Sequence, residues 1–227
     1  TIMMTANRPQ WHQLSVWVLL YLGLTLACQP QKETKATADG QTTAQIICGT
    51  APSDKAWYSS GQKAAHFDSL GDLSFPITTK SPEAQKYFNQ GLMLAVGFNH
   101  AEAARSFYEA IRLDSTCAMA YWGFSYVLGP NYNAGMEHDN YERAYRAVRQ
   151  AIQFSANGTD KEKALINALA KRYPAKPVED RRAYDEAYSK AIQKVHEQFP
   201  DDADIAALYA ESLMDLHPWD LWEHDGR

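Results

Sequence analysis

Cysteine is scarce in this chain of 227 residues, with only Cys28, Cys48 and Cys117. None belongs to a CxxC pair or is flanked by histidines at zinc spacing, and no CxxCH haem-attachment sequence occurs, so neither metal nor haem is indicated. The glycine patterns of P-loops and dinucleotide folds are missing, as are GxSxG and HExxH, and the carboxylates are scattered over charged stretches such as Glu179-Asp180-Arg181-Arg182. The chain is therefore expected not to be an enzyme, and no catalytic residue, cofactor or metal ligand is assigned. Positive charge is also short, with 22 Lys and Arg against 27 Asp and Glu and a net charge of -5, which argues against nucleic acid or an anionic membrane surface as a partner. The apolar run from Leu14 to Ala27 falls short of the roughly 20 residues that a spanning helix needs.

That run (LSVWVLLYLGLTLA) is preceded by a polar stretch with Arg8 and followed by Cys28-Gln29-Pro30, the anatomy of an export signal over residues 1–27. Ala27-Cys28 resembles the lipobox of bacterial lipoproteins, which implies lipidation of Cys28, although Thr25 and Leu26 depart from the usual residues. Conventional cleavage near Ala27 is the alternative. The expected location is thus a membrane-anchored lipoprotein of the periplasm or outer membrane, or a secreted protein, touching the membrane only through its N-terminal lipid or signal segment. Gln29 to Gln45 is poor in apolar residues and lacks periodicity, as a tether would be, and residues 28–80 are expected to form a flexible linker and an irregular N-terminal segment. In an oxidising compartment Cys48 and Cys117 either pair or remain free thiols, the second being favoured because Cys48 lies in a loop-like stretch.

From Ser81 the texture changes to helical segments separated by short turns. SPEAQKYFNQGLMLAVGF opens with an N-cap serine, Pro82 at the first helical position and Glu83 in the first turn, and Gly97 and Asn99 end it. Tyr87, Gly91, Leu94 and Ala95 share one face. A second helix from about His100 to Leu113 places Ala103, Phe107, Ala110 and Ile111 inward, which makes an αα-hairpin. A bulky residue, a small one four later, then Ala, bulky and Ala follow the tetratricopeptide spacing, filled by Tyr87, Gly91, Ala103, Phe107 and Ala110. Tyr121 and Ser125 repeat the first part. Ala144, Val148 and Ala151 repeat the second after an inserted turn, Gly129 to Asp139. TDKEKALINALAKRYP and EDRRAYDEAYSKAIQKVHEQFP form a third pair, and DADIAALYAESLMDL starts a fourth with Ala210 as its small residue.

On AQKYFNQGL, FNHAEAARSF, CAMAYWG, GPNYN and LMDLHPWDLW, the chain from about Leu70 onward resembles the tetratricopeptide repeat family, and within it a group of exported bacterial proteins. The resemblance implies an all-α fold, a right-handed solenoid of antiparallel helix pairs with a concave face, over residues 81–227. It implies no established reaction. The chain starts with Thr1-Ile2 ahead of any methionine and stops after a fourth first-type helix without its partner, so a C-terminally incomplete fragment is expected.

The groove of such a solenoid is expected to be lined by Phe88, Asn89, Leu92, Val96, Trp122 and Tyr126, an apolar and aromatic surface suited to a protein or peptide partner or to burial under another part of the same chain. Ordinary inter-repeat core explains each of these residues equally well. In the inserted turn, Asn131 and Asn133 are candidate partner contacts, with turn closure as the structural alternative. His100 reads as a helix-end residue. The competing hypothesis is an envelope enzyme or metal-binding protein whose site gathers His100, Asn131, Asn133 and His217 from successive repeats, with His217, Asp220 and His224 as a conceivable metal set.

Overall fold

A computed structural model describes residues 54–220, Trp222 and Gly226. The export segment, Cys28, Cys48 and His224 lie outside the described residues. Among the described residues the fold is all-α, with eight α-helices and no strand beyond one isolated bridge. No helix among them is long and apolar enough to cross a membrane.

The helices are α1 (Lys55–Ser60), α2 (Pro82–Val96), α3 (His100–Leu113), α4 (Ala118–Val127), α5 (Asn140–Phe154), α6 (Asp160–Leu169), α7 (Arg182–Gln198) and α8 (Ala203–Asp215). Their ends follow from local chemistry. The Ser81 hydroxyl accepts the Ala84 N–H at 3.2 Å, and Pro82 occupies a position whose missing N–H costs nothing. Phe98 then takes a left-handed backbone conformation (φ 59°), which turns the chain so that the Asn99 N–H reaches the Leu94 carbonyl at 2.8 Å. Asn99 in turn caps α3 by accepting from the Glu102 N–H. Thr159 and Glu162 close a reciprocal capping box at the start of α6.

From α2 onward each helix packs on the next in an antiparallel-like sequence, and alternate helices also touch, α2 with α4 and α4 with α6. Small residues permit this. The Phe107 ring of α3 is wedged between Gly91 of α2 and Gly123 of α4. A Cβ on Gly91 would stand 2.7 Å from the ring, and one on Gly123 would overlap it more severely. Ser125, fully buried, donates its hydroxyl to the Ala144 carbonyl at 2.9 Å, so its polar group is satisfied in the α4–α5 contact. Ala103, Phe107, Ala110, Ala144, Val148 and Ala151 are all buried, at the spacing that the sequence predicts. Ala210 is not: it is exposed, no described element covers it, and α8 buries Ile205, Leu208 and Ser212 instead.

Two further differences bear on the site. The helix expected to continue towards Pro174 stops at Leu169, because Arg172 and Tyr173 turn inward and become buried. The described part of the expected linker is irregular but fixed. Residues 62–80 form a strap along α2, clipped by three of that helix's side-chain amides. Gln85 accepts the Ile77 N–H and donates to the Phe75 carbonyl, Asn89 accepts the Phe75 N–H, and Gln90 accepts the Phe67 N–H and donates to the Ala65 carbonyl. Further along, buried Glu162 accepts from both the Thr78 N–H (2.5 Å) and the Thr78 hydroxyl (2.6 Å). Asp114 accepts from the Thr79 hydroxyl and the Lys80 N–H. Phe75 is thereby sunk into the core against Phe88, so the packed domain begins well before residue 81.

Candidate functional site

The face of α2 and α4 that the sequence offers to a partner divides into two parts. Phe88 is wholly buried, between Phe75, Phe107 and Trp122. Asn89 is engaged by the strap, accepting from Phe75 and from the Gln85 amide. Both therefore belong to the chain's own packing, because Phe75 fills the space beside them. Leu92, Val96, Trp122 and Tyr126 instead line an open cavity of about 330 Å³, completed by the strap residues Leu73 and Phe75, by Phe98 and His100 at the α2–α3 turn, and by α8.

Two walls of this cavity are chemically distinct. On one side the rings of Trp122 and Tyr126 stack, centroids 5.3 Å apart and almost parallel, as expected for residues four apart on one helix. On the other, Asp204, Ala207, Leu208, Glu211 and Met214 lie on one stripe of α8, each three or four residues from a neighbour one turn away. The Tyr126 hydroxyl bridges the walls by donating to the Glu211 carboxylate. Burial, with the charge of nearby Asp215, pushes the Glu211 carboxyl above its ordinary value, while Arg172 and the tyrosine hydrogen bond pull against it.

His100 opens α3 but caps nothing, since Asn99 does that work. It is 7% exposed, neither ring nitrogen has a protein partner, and burial lowers its pKa to about 4, so the ring is neutral at pH 7. The indole nitrogen of Trp122, on a side chain 1% exposed, is likewise without a partner. Buried polar atoms are seldom left this way unless something else satisfies them.

Beneath the Glu211 wall sits a buried charge cluster. Arg172 pairs with Asp215 at 2.5 Å and lies over the Tyr188 ring, and Arg181 pairs with Asp185 at 2.8 Å. Arg172 also donates to the Pro130 carbonyl at 3.0 Å, which ties the inserted turn to the end of α6. Gly129 is needed there because a Cβ would collide with the Tyr173 hydroxyl, which itself donates to the Ser125 carbonyl at 2.8 Å.

Asn131 and Asn133 serve that turn. The Asn131 and Ala134 backbones exchange hydrogen bonds at 2.9 and 3.1 Å, and the Asn131 side-chain oxygen accepts the Asn133 N–H. Neither lines the cavity; Tyr132 between them does, resting against Trp219 at 5.4 Å. Of the four residues that the enzyme hypothesis gathers, only His100 reaches this cavity, and among the described residues no three His, Cys, Asp or Glu side chains stand close enough to hold a metal ion. Cys117 is a buried free thiol whose pKa burial raises to about 11, which keeps it protonated and inert.

Sequence reasoning did not reach Glu211, Asp204, Phe98 or the strap. A signal for Glu211 is present, a lone acid in the otherwise apolar face of IAALYAESLM. The strap offers only Leu73, Phe75 and Ile77 at alternate positions, too short a pattern to distinguish from a loop. Comparison with protein-family models, curated proteins and solved structures found no match to the chain.

Proposed function

We propose that residues 62–216 form a tetratricopeptide-type, right-handed solenoid that binds a peptide or protein partner, carried at the bacterial cell envelope by an N-terminal export signal and a lipid on Cys28. The module performs no chemistry of its own. The glycine–phenylalanine–glycine wedge and the contacts between alternate helices support the repeat reading, since the first helix of each pair would then line the concave side. The observation that carries the binding reading is the strap. The helix face assigned to partners already holds a non-helical stretch of polypeptide through side-chain amides paired with its backbone, and the open cavity continues that face beyond Phe75.

The test is an array of random decapeptides probed with the full chain and with Val96→Arg, which places a bulky charge at the cavity mouth on a residue that is 76% exposed. A set of peptides bound by the wild type and lost in the variant supports the proposal. An empty array, or binding indifferent to Val96, removes it. Mass spectrometry of the N-terminal peptide after expression with the export signal tests the anchor: acyl mass on Cys28 supports it, and an unmodified Cys28 or cleavage without lipid overturns it.

A further inference from the structure

The cavity beside Trp122 has an unbalanced charge inventory. In the cluster beneath it Arg172 is matched by Asp215 and Arg181 by Asp185, which leaves Glu211 as a third carboxylate without a guanidinium of its own. Among the described residues no cationic side chain forms an ion pair with Glu211, whose hydrogen bond comes from the neutral Tyr126 hydroxyl. Asp204 adds a second acid to the same wall, and no lysine or arginine lines the cavity. Lys161, over the Phe75 ring at 4.5 Å, is paired with Asp202 at 2.9 Å, and Arg172, whose charge reaches Glu211, is paired with Asp215.

The remaining surface narrows the ligand further. The stacked rings of Trp122 and Tyr126 line the cavity with Tyr132, and aromatic rings attract cations most strongly where water is excluded. Leu92 and Leu208 offer an apolar lining for an aliphatic stem. An anion would meet two carboxylates and no positive partner. A wholly apolar guest would leave the Glu211 charge without a counter-ion. The volume of about 330 Å³ is at the low end for ligand pockets and suits one head group with a short stem.

We propose that this cavity receives an organic cation, an alkylammonium or guanidinium group on a short apolar stem, with its charge at Glu211 and its flank against Trp122 and Tyr126. Where the cation is a lysine or arginine side chain of a docked peptide, the inference rests on the peptide-binding reading above. Where it is a free amine, the inference stands without that reading. Burial has raised the affinity of Glu211 for a proton, and a bound cation reverses that preference by supplying the missing positive charge.

The experiment follows the Trp122 indole N–H resonance of the full chain, assigned by its disappearance in Trp122→Phe. Four probes are titrated: pentylammonium against its neutral counterpart pentanol, and acetyl-Ala-Lys-Ala-amide against the same peptide with norleucine. The expected result is a saturable shift with the cationic probes, about tenfold weaker with the neutral ones, and a loss of about tenfold in cation affinity in Glu211→Gln with an unchanged circular dichroism spectrum. Asp204→Asn, on a more open part of the wall, provides a second variant with an expected loss of a few-fold. Pentylammonium binding without the lysine peptide identifies a free amine as the source, and lysine-peptide binding at much higher affinity identifies a protein partner. Equal binding of charged and neutral probes, an unmoved indole resonance, or full cation affinity in Glu211→Gln overturns the inference. Peptides that remain sensitive to Val96→Arg but indifferent to basic residues overturn the cation site and leave peptide docking intact. Pentylammonium binding with an empty peptide array does the reverse.

Discussion

The ring of Phe107 lies against Gly123, in space that a β-carbon would claim, and the same ring abuts Gly91 on the preceding helix. One phenylalanine thus sets the spacing of three helices. Gly123→Ala is expected to lower unfolding free energy by about 1–3 kcal/mol through overpacking, despite alanine's better helix propensity. Urea denaturation of Gly123→Ala, Phe107→Leu and the double variant checks this, because a smaller ring should recover part of the alanine's cost.

His100 makes stability depend on pH in a definite direction. Its pKa is lowered from 6.5 to about 4 in the folded protein, so between those values the unfolded chain binds more protons and stability falls as pH falls. The contribution, fully present above pH 6.5, amounts to about 3 kcal/mol and is lost as pH drops through 4. Between pH 7 and pH 4 the denaturant midpoint should fall further for wild type than for His100→Asn, beyond the common carboxylate background; an identical pH profile in the variant would show that His100 is solvated.

Glu211 acts with the opposite sign. Its folded pKa is raised, so stability is full below the unfolded value and declines as pH rises through the folded one. Glu211→Gln should therefore melt higher than wild type at pH 7 and alike at pH 4, as differential scanning calorimetry would read. Such a stabilising substitution is the usual mark of a group retained for binding.

Asp215 is the counter-charge of a buried arginine, and Asp215→Ala is expected to cost about 3–5 kcal/mol by leaving Arg172 uncompensated. Replacing both partners, as Arg172→Met with Asp215→Leu, should recover most of it, measured by chemical denaturation.

Much of the helical architecture is legible in the sequence because its signals are local. Ser81-Pro82 and Asn99 mark helix starts, and the Ala103–Phe107–Ala110 interval is a packing rule within one helix. The cavity is less legible because it joins residues distant along the chain. Leu92, Val96, Trp122 and Tyr126 stand out from their own helices, but Glu211 lies 85 residues from the tyrosine that binds it. Phe88 and Asn89 carry the same helix-face signature as Leu92, and only the arrival of Phe75 from the strap separates core from cavity.

Gln90 makes the strap's attachment measurable. Its amide grips Ala65 and Phe67 on one side and the Ser106 hydroxyl on the other. Gln90→Leu should speed hydrogen exchange at the Phe67 amide by an order of magnitude or more while leaving α5 unaffected, since local opening then no longer breaks a buried bond.

The clamp between Thr78 and Glu162 spans 84 residues. During synthesis from the N-terminus the strap emerges first, and its clip to α2 forms early. Its far end is held at Thr79 and Lys80 once Asp114 follows α3, but the Thr78 clamp does not close until α6 has left the ribosome and its capping box has set the Glu162 carboxylate in place. A nascent chain ending before residue 162 therefore leaves Thr78 unclamped and more open to protease, and added resistance there reports when the first two helix pairs and α6 have closed into one body.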